Sequence, residues 1–318
     1  LLAELDVDVM TVSEFLSFLS NLNFTRVVEE SSKDLSPFGL DTPGLRIILS
    51  MNNGETKGVR VGDDHPMGNK VYLALLKGSQ VLAAGVTKNR LDRSAHDLRD
   101  KTILDFKTPL IKKIEFIRNG KTLNLIKDKE SWQVLENRIS AKGNETEITN
   151  LLNKIQAAQI EQFVEENSKQ LTFYGLNNPK LTVKLTTLKS KEPLTLLVGN
   201  KNEHGFYAKT LLKKNVFTIG QSLFDSLNNR EFVHFLNKSL VDFNDNDVIK
   251  MTLRMDNVTV DLIRNKKDLQ EWTMQQPIEM KANTSTINSV LFDLKNTRIV
   301  EFVSTQAKNS EVFNFEQS

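Results

Sequence analysis

Residues 28–43 read VEESSKDLSPFGLDTP, and residues 164–179 read VEENSKQLTFYGLNNP. Laid over each other with a shift of 136, nine of the sixteen positions are identical. A degraded third copy follows where Val300-Glu301-Phe302-Val303 leads to Phe313-Asn314-Phe315. A period of 136–137 residues is far longer than the roughly 20–50 residues of a solenoid repeat. A whole folding unit is duplicated in tandem.

The repeated stretch is a chain stop. A short helical turn ending at Gly39 or Gly175 places a residue without Cβ in the left-handed conformation, where it meets no steric penalty. A Schellman ending sets an apolar contact between the position two past the cap and the third-last helical position. Here those pairs are Leu40 with Leu35 and Leu176 with Leu171. Pro43 and Pro179 follow where no helix continues. In the third copy Asn314 takes the glycine position and Ser310 the apolar one, so that copy is altered or offset. The glycine turn as a phosphate cradle is disfavoured, because neither G-x-G-x-x-G nor G-x-x-x-x-G-K-[ST] occurs.

Outward from the stop, three helices share one set of offsets. Val12, Phe15, Leu16 and Leu19 form an apolar face at i, i+3, i+4, i+7. So do Ile148, Leu151, Leu152 and Ile155, and again Ile287, Val290, Leu291 and Leu294. Thr11 with Glu14 fits a capping box, Asn144 with Glu147 a variant of it, and Asn283 or Thr284 caps the third. Strands follow each stop, with Leu45, Ile47 and Leu49 alternating as Leu181, Val183 and Leu185 do. A less regular helical segment is expected near 91–100 and 222–236, leading into Ile103-Leu104-Asp105-Phe106 and Leu240-Val241-Asp242-Phe243. Then comes a hairpin, turning at Asn119-Gly120 in one copy and at Asp256-Asn257 in the other, and a strand carrying Trp132 or Trp272.

These patterns predict an α+β fold, a tandem repeat of about 137 residues whose units are each a mostly antiparallel sheet with two helices. The first unit is 1–143 with its leading strands cut off, the second 144–282, and 283–318 begins a third, truncated or degenerate unit. Segment 1–10 corresponds to the stretch just after Trp272, and Leu1 is not a start methionine, so an N-terminal anchor or signal is expected upstream.

Composition narrows function. The 42 basic and 40 acidic residues give +2, and no Lys/Arg run exceeds two, so no footprint for nucleic acid stands out. The absence of cysteine excludes disulfides, thiolate zinc sites and cysteine nucleophiles. No stretch of about eighteen apolar residues is present to span a bilayer.

Candidate chemistry is sparse. Asp63-Asp64-His65 could offer oxygen and imidazole ligands to a metal, but a polar turn before Pro66 is the plainer reading, and Asn200-Lys201-Asn202 stands there in the second copy. Ser94, His96 and Asp97 lie too close in sequence for a triad, whose members come from separate segments, and read as a helix start. Asp105 and Asp242 recur between apolar neighbours. They could be paired carboxylates, although strand-end carboxylates accepting nearby backbone N–H groups fit better. No nucleophile with a matching base emerges, so no catalytic, cofactor-binding or metal residues are assigned, no cofactor is expected, and the chain is read as not an enzyme.

One order of motifs stands out. It runs through Phe163-Val164-Glu165, Tyr174-Gly175-Leu176-Asn177-Asn178-Pro179, Val198-Gly199, Gly205-Phe206-Tyr207-Ala208, Val216-Phe217 and Leu240-Val241-Asp242-Phe243. This resembles the bacterial domain-of-unknown-function family DUF4340 over nearly the whole chain. The first copy departs in having Asn69-Lys70 where the second has His204-Gly205. The resemblance implies an extracytoplasmic protein with one N-terminal membrane anchor, an accessory subunit beside the permease and ATPase of a gliding-type ABC transporter. It supplies no catalytic residues.

The expected function is thus a non-catalytic accessory or scaffolding subunit of an ABC-type transport complex. It would sit on the periplasmic or extracytoplasmic face of the inner membrane, with permease, ATPase or other envelope proteins as partners. The alternative is an envelope glycan- or peptide-binding module using a cleft between units. Solvent-facing rings at Trp132, Trp272 or Tyr207 would favour it, whereas the apolar alternates Val134 and Met274 predict burial of both tryptophans. A hydrolase using Asp105 or Asp242 comes third.

Overall fold

The computed structural model describes residues 5–255, 258–265 and 268–302. The elements run α1 Val9–Ser20, β1 Phe24–Glu29, β2 Leu45–Ser50, β3 Thr56–Asp64, β4 Val71–Leu75, β5 Val81–Ala84, α2 Lys88–Leu91 and α3 Ala95–Leu98. A meander follows, β6 Ile111–Arg118, β7 Lys121–Asp128, β8 Ser131–Glu136 and β9 Ile139–Lys142, and then α4 Glu145–Ala157. The second round is β10 Gln162–Glu165, β11 Leu181–Thr187, β12 Leu194–Asn202, β13 Gly205–Thr210, β14 Val216–Ile219 and α5 Gln221–Asn228. It ends with β15 Lys250–Met255, β16 Val258–Arg264, β17 Trp272–Gln276, β18 Met280–Lys281 and α6 Thr284–Asn296. The expected α+β class, mostly antiparallel, is what the chain adopts.

Equivalence between copies extends to register. Leu45 pairs with Val61 in β2–β3 as Leu181 pairs with Val198 in β11–β12. Phe116 pairs with Leu123 in β6–β7 as Leu253 pairs with Val260 in β15–β16. Register is held because a slip of one residue would turn every apolar side chain to the wrong face. The expected hairpin turn at Asp256-Asn257 lies outside the described residues, as does the third stop at Phe313-Asn314-Phe315.

The chain divides into two compact units that do not follow the repeat borders. The first comprises 1–102, 159–168 and 215–218. Its sheet has the order β1-β5-β4-β3-β2, and its core gathers Val61, Val71, Leu73 and Leu91, with Phe18, Leu19 and Leu22 packed against it. The helix α1 starts earlier than expected, because Asp8 rather than Thr11 supplies the cap and accepts the Thr11 N–H at 3.0 Å. Its packing face uses Phe18 with Leu19 and leaves Leu16 exposed.

The second unit comprises 103–158, 169–214 and 219–318. Seven strands run in hydrogen-bonded order β13-β12-β11-β6-β7-β8-β9, so β6, from the first repeat, pairs with β11, from the second. Val183 faces Phe116 and Leu185 faces Ile114 across that pair, and all four are fully buried. Complete burial of such a side chain contributes about 1.5–3 kcal/mol. The helix α4 is capped as expected, Asn144 accepting the Glu147 N–H at 3.2 Å, and buries Ile148, Leu151, Leu152 and Ile155. A second sheet, β15-β16-β17-β18, packs Leu262 and Trp272 against Ile287 and Leu291 of α6. Asn283 is the residue that caps α6.

Candidate functional site

The stop is built as its spacing requires. Gly39 has φ +65° and Gly175 φ +69°. The Leu40 N–H donates to the Leu35 carbonyl at 3.1 Å, and Leu176 to Leu171 at 3.0 Å. The Gly39 and Gly175 N–H groups reach Ser36 and Thr172, each at 3.0 Å. These are the two bonds of a Schellman motif, and Leu35 packs on the buried cluster of Leu40, Ala74 and Val81.

The residues singled out for chemistry are held by structural contacts. The Asp63 carboxyl lies against the open side of Gly39, where an added Cβ would come within 2.6 Å of it. Asn200 lies against Gly175 in the same way at 2.8 Å, so Asp63 has a counterpart that the sequence pattern concealed. His65 Nδ1 accepts the Met67 N–H at 3.1 Å. Among the described residues, no group of three or more His, Cys, Asp or Glu could hold a metal ion. Ser94 and Asp97 form a capping box at the start of α3. The Ser94 hydroxyl and N–H donate to the Asp97 carboxylate at 2.8 and 2.9 Å, which lowers its pKa. His96 stands edge-on to the Phe163 ring, with centroids 5.9 Å apart.

Asp105 and Asp242 depart from expectation. Both sit in irregular backbone rather than at strand ends. Asp105 is exposed, and the Asp242 carboxylate accepts from the Lys142 ammonium instead of from backbone N–H groups. That bond, then the charge of Lys142, lowers the Asp242 pKa.

A cleft of about 630 Å³ lies in the second unit among Arg118, Lys121, Glu136, Arg230 and Phe232. Its guanidinium groups are engaged. Arg118 donates to the carbonyls of Asn228 and Arg230, and burial lowers its pKa against the opposing pull of Glu136 and Glu231. Arg230 bonds the Glu147 carboxylate at 3.0 Å. Burial also lowers the pKa of Lys209, whose ammonium donates to the Lys213 carbonyl at 2.6 Å.

Trp132 and Trp272 are buried, as their apolar alternates predict. Tyr207 is half-buried and meets the edge of Tyr174 at 4.9 Å, and Tyr174 in turn meets Phe173 at 5.1 Å. Phe173 is 72% exposed. Phe38 and Tyr72 form the equivalent edge-to-face pair at 5.0 Å in the first unit.

The sequence reading missed two arginines. Arg60 donates to the backbone carbonyls of Leu75, Leu40 and Gly78, where the second repeat has Leu197. Arg99 holds Glu166 through two bonds of 2.6 and 2.9 Å, with its guanidinium carbon 3.4 Å from the Phe163 ring centroid. The one visible signal was a break in the repeat at Arg60.

These features define a tandem α+β repeat protein in which most of the candidate side chains serve the fold. The family described as Domain of unknown function (DUF4340) matches residues 2–169 and again residues 134–317, and the chain belongs to that family. Neither the curated proteins nor the solved structures compared with the chain gave a match.

Proposed function

We propose that the protein is a non-catalytic accessory or scaffolding subunit of an ABC-type membrane transport complex. It would act on the extracytoplasmic face of the inner membrane and be tethered there by an N-terminal segment. The observation that carries this reading is that Ser94, Asp97, Asp242, His65 and Arg118 are engaged in caps, ion pairs and carbonyl contacts, which leaves surfaces as the working parts. Membership of DUF4340 in two tandem matches supports it. No helix of the described residues is long and apolar enough to cross a membrane.

The test is crosslinking in native membranes, with the full-length protein as bait and mass spectrometry as readout. Recovery of a permease with its ATPase is the expected result. Recovery of neither would overturn the reading.

A second reading, recognition of an envelope glycan or peptide, is favoured by one observation. The exposed Phe173 ring, backed by Tyr174 and Tyr207, is a flat apolar platform of the kind a sugar face or peptide side chain packs on. Phe173→Ala should abolish ligand-induced chemical-shift changes in titrations with envelope glycan fragments. No shift with the wild-type chain would dispose of it.

A further inference from the structure

Two loops of the second unit leave the same end of its sheet. The loop between β11 and β12, 188–193, reads LKSKEP, and 211–214, after β13, reads LLKK. Leu185 pairs with Leu194 across β11–β12, and the Leu211 N–H donates to the Thr195 carbonyl at 3.3 Å. Two strand spacings therefore separate the loops, about 10 Å. Leu188 and Leu211 are each 65% exposed and Leu212 is 76% exposed. The turns themselves need no leucine at their tips. In the first copy the equivalent loops, 51–55 and 76–80, read MNNGE and LKGSQ. There Lys77 stands in the place of Leu212, and Leu76, the counterpart of Leu211, is half-buried.

The leucines are carried on well-bonded turns. The Ser190 N–H donates to Thr187 Oγ1 at 3.1 Å, and the Ser190 hydroxyl to the Glu192 carbonyl at 3.0 Å. The Lys213 N–H donates to Thr210 Oγ1 at 3.1 Å, and the Lys213 carbonyl accepts from the Lys209 ammonium. Charge around them is one-sided. The two loops hold four lysines and one carboxylate, Glu192, in a chain whose charges nearly balance. The β7–β8 turn at this end of the sheet, Asp128-Lys129-Glu130, returns a single negative charge. Lys189, Lys191 and Lys214 are exposed.

We propose that these two loops dock on a bilayer surface rich in anionic phospholipid. Leu188, Leu211 and Leu212 enter the boundary between headgroups and acyl chains, while Lys189, Lys191 and Lys214 meet the lipid phosphates. Charge complementarity selects this occupant. Lysine is depleted from protein–protein contacts, whereas leucine flanked by lysine is the composition of segments that lie in a membrane interface. Lysines close to an anionic leaflet are attracted by its surface potential, and salt screens that attraction. The Phe173 ring lies by the other end of β12, where the Asn200 N–H meets the Tyr174 carbonyl, so it takes no part. The proposal stands apart from the transport reading, because vesicles free of protein test it alone.

The experiment is cosedimentation of the 318-residue chain with vesicles of phosphatidylglycerol and phosphatidylcholine in equal parts, against vesicles of phosphatidylcholine alone. Expected is binding to the anionic vesicles that falls as salt is added. Leu211→Ser with Leu212→Ser should weaken it about 10-fold or more, and Lys189→Glu with Lys191→Glu by a similar factor. Phe173→Ala should bind as the wild type does. The chain lacks cysteine, so Leu212→Cys accepts a single polarity-sensitive fluorophore, whose emission should shift to the blue on the anionic vesicles. A wild type that ignores these vesicles would overturn the proposal and return the surface to a protein partner. Binding undiminished by the paired serine variant, or a label whose emission does not move, would overturn it too, since either outcome means adsorption by charge without insertion.

Discussion

Gly62 lies so close to the Phe38 carbonyl that a Cβ built on it would stand 2.1 Å from that oxygen, and Gly199 repeats the relationship with the Tyr174 carbonyl at 2.0 Å. The close approach seats the end of β3 or β12 against the stop turn. The Asn200 N–H completes it by donating to the Tyr174 carbonyl at 2.8 Å. Gly199→Ala forces backbone against backbone, with no flexible side chain to yield. We expect a loss of about 3 kcal/mol or more in unfolding free energy, measured by urea denaturation. Gly44→Ala, with nothing within 4 Å of its new methyl, should change stability by no more than about 0.5 kcal/mol.

Five carboxylates have pKa values lowered by local partners. Asp34 is lowered by Ser36, Asp97 by Ser94, Asp242 by Lys142, Asp261 by Thr252 and Lys250, and Glu271 by Lys281. A carboxylate with a depressed folded-state pKa adds stability that is present above its unfolded value and is lost as pH falls through the folded one. Stability should therefore fall on acidification below the ordinary carboxylate range, about pH 4. Asp97→Asn combined with Asp242→Asn should flatten that limb while leaving the slope above pH 6 (about two units higher) unchanged. Urea unfolding across an acid pH series measures it.

The Arg99 guanidinium combines a two-bond grip on Glu166 with stacking on Phe163. Lysine offers a point charge without the planar fork, so Arg99→Lys is not conservative here. It should lose about 1 kcal/mol, the partly exposed Glu166 holding the figure down through solvent screening. A double-mutant cycle with Glu166→Gln checks that the loss is shared by the pair. Additive single effects would contradict it.

Trp272 is fully buried, with the Arg264 guanidinium carbon 4.8 Å from its ring centroid. Arg264 Nη1 is itself held by the Asp245 carbonyl at 2.5 Å. In a Trp132→Phe background the remaining fluorescence reports Trp272 alone. Emission should be blue-shifted and resistant to iodide. Arg264→Ala should shift it red and admit the quencher.

Much of this fold was legible because its devices are local and occur twice. The Leu35–Gly39–Leu40 stop and the Leu45-Ile47-Leu49 alternation each follow from a few neighbouring residues, and the second copy confirms the pattern. The cap of α1 was misplaced because Asp8 and Thr11 are both good cap residues, and backbone geometry decides between them. The pairing of β6 with β11 was not legible, since the period of a strand says which face it buries and not which strand lies beside it. Asp105 and Asp242 misled for a related reason. An acidic residue between apolar ones looks like a strand end, while the partner of Asp242, Lys142, lies a hundred positions away. The Asp63–Asn200 correspondence was hidden by a change of chemistry at a conserved geometric task, that of covering the open side of the stop glycine.

The β6–β11 joint also bears on how such a chain can change length over evolutionary time. Each copy lends its meander to the sheet of the next, so copying a whole period inserts one lender and one borrower together. A gain or loss in register with the repeat leaves every internal seam matched, whereas a cut at residue 143 removes β6 from the neighbour of Val183 and Leu185. Growth by whole periods is structurally neutral, and growth by any other increment uncovers an apolar strand.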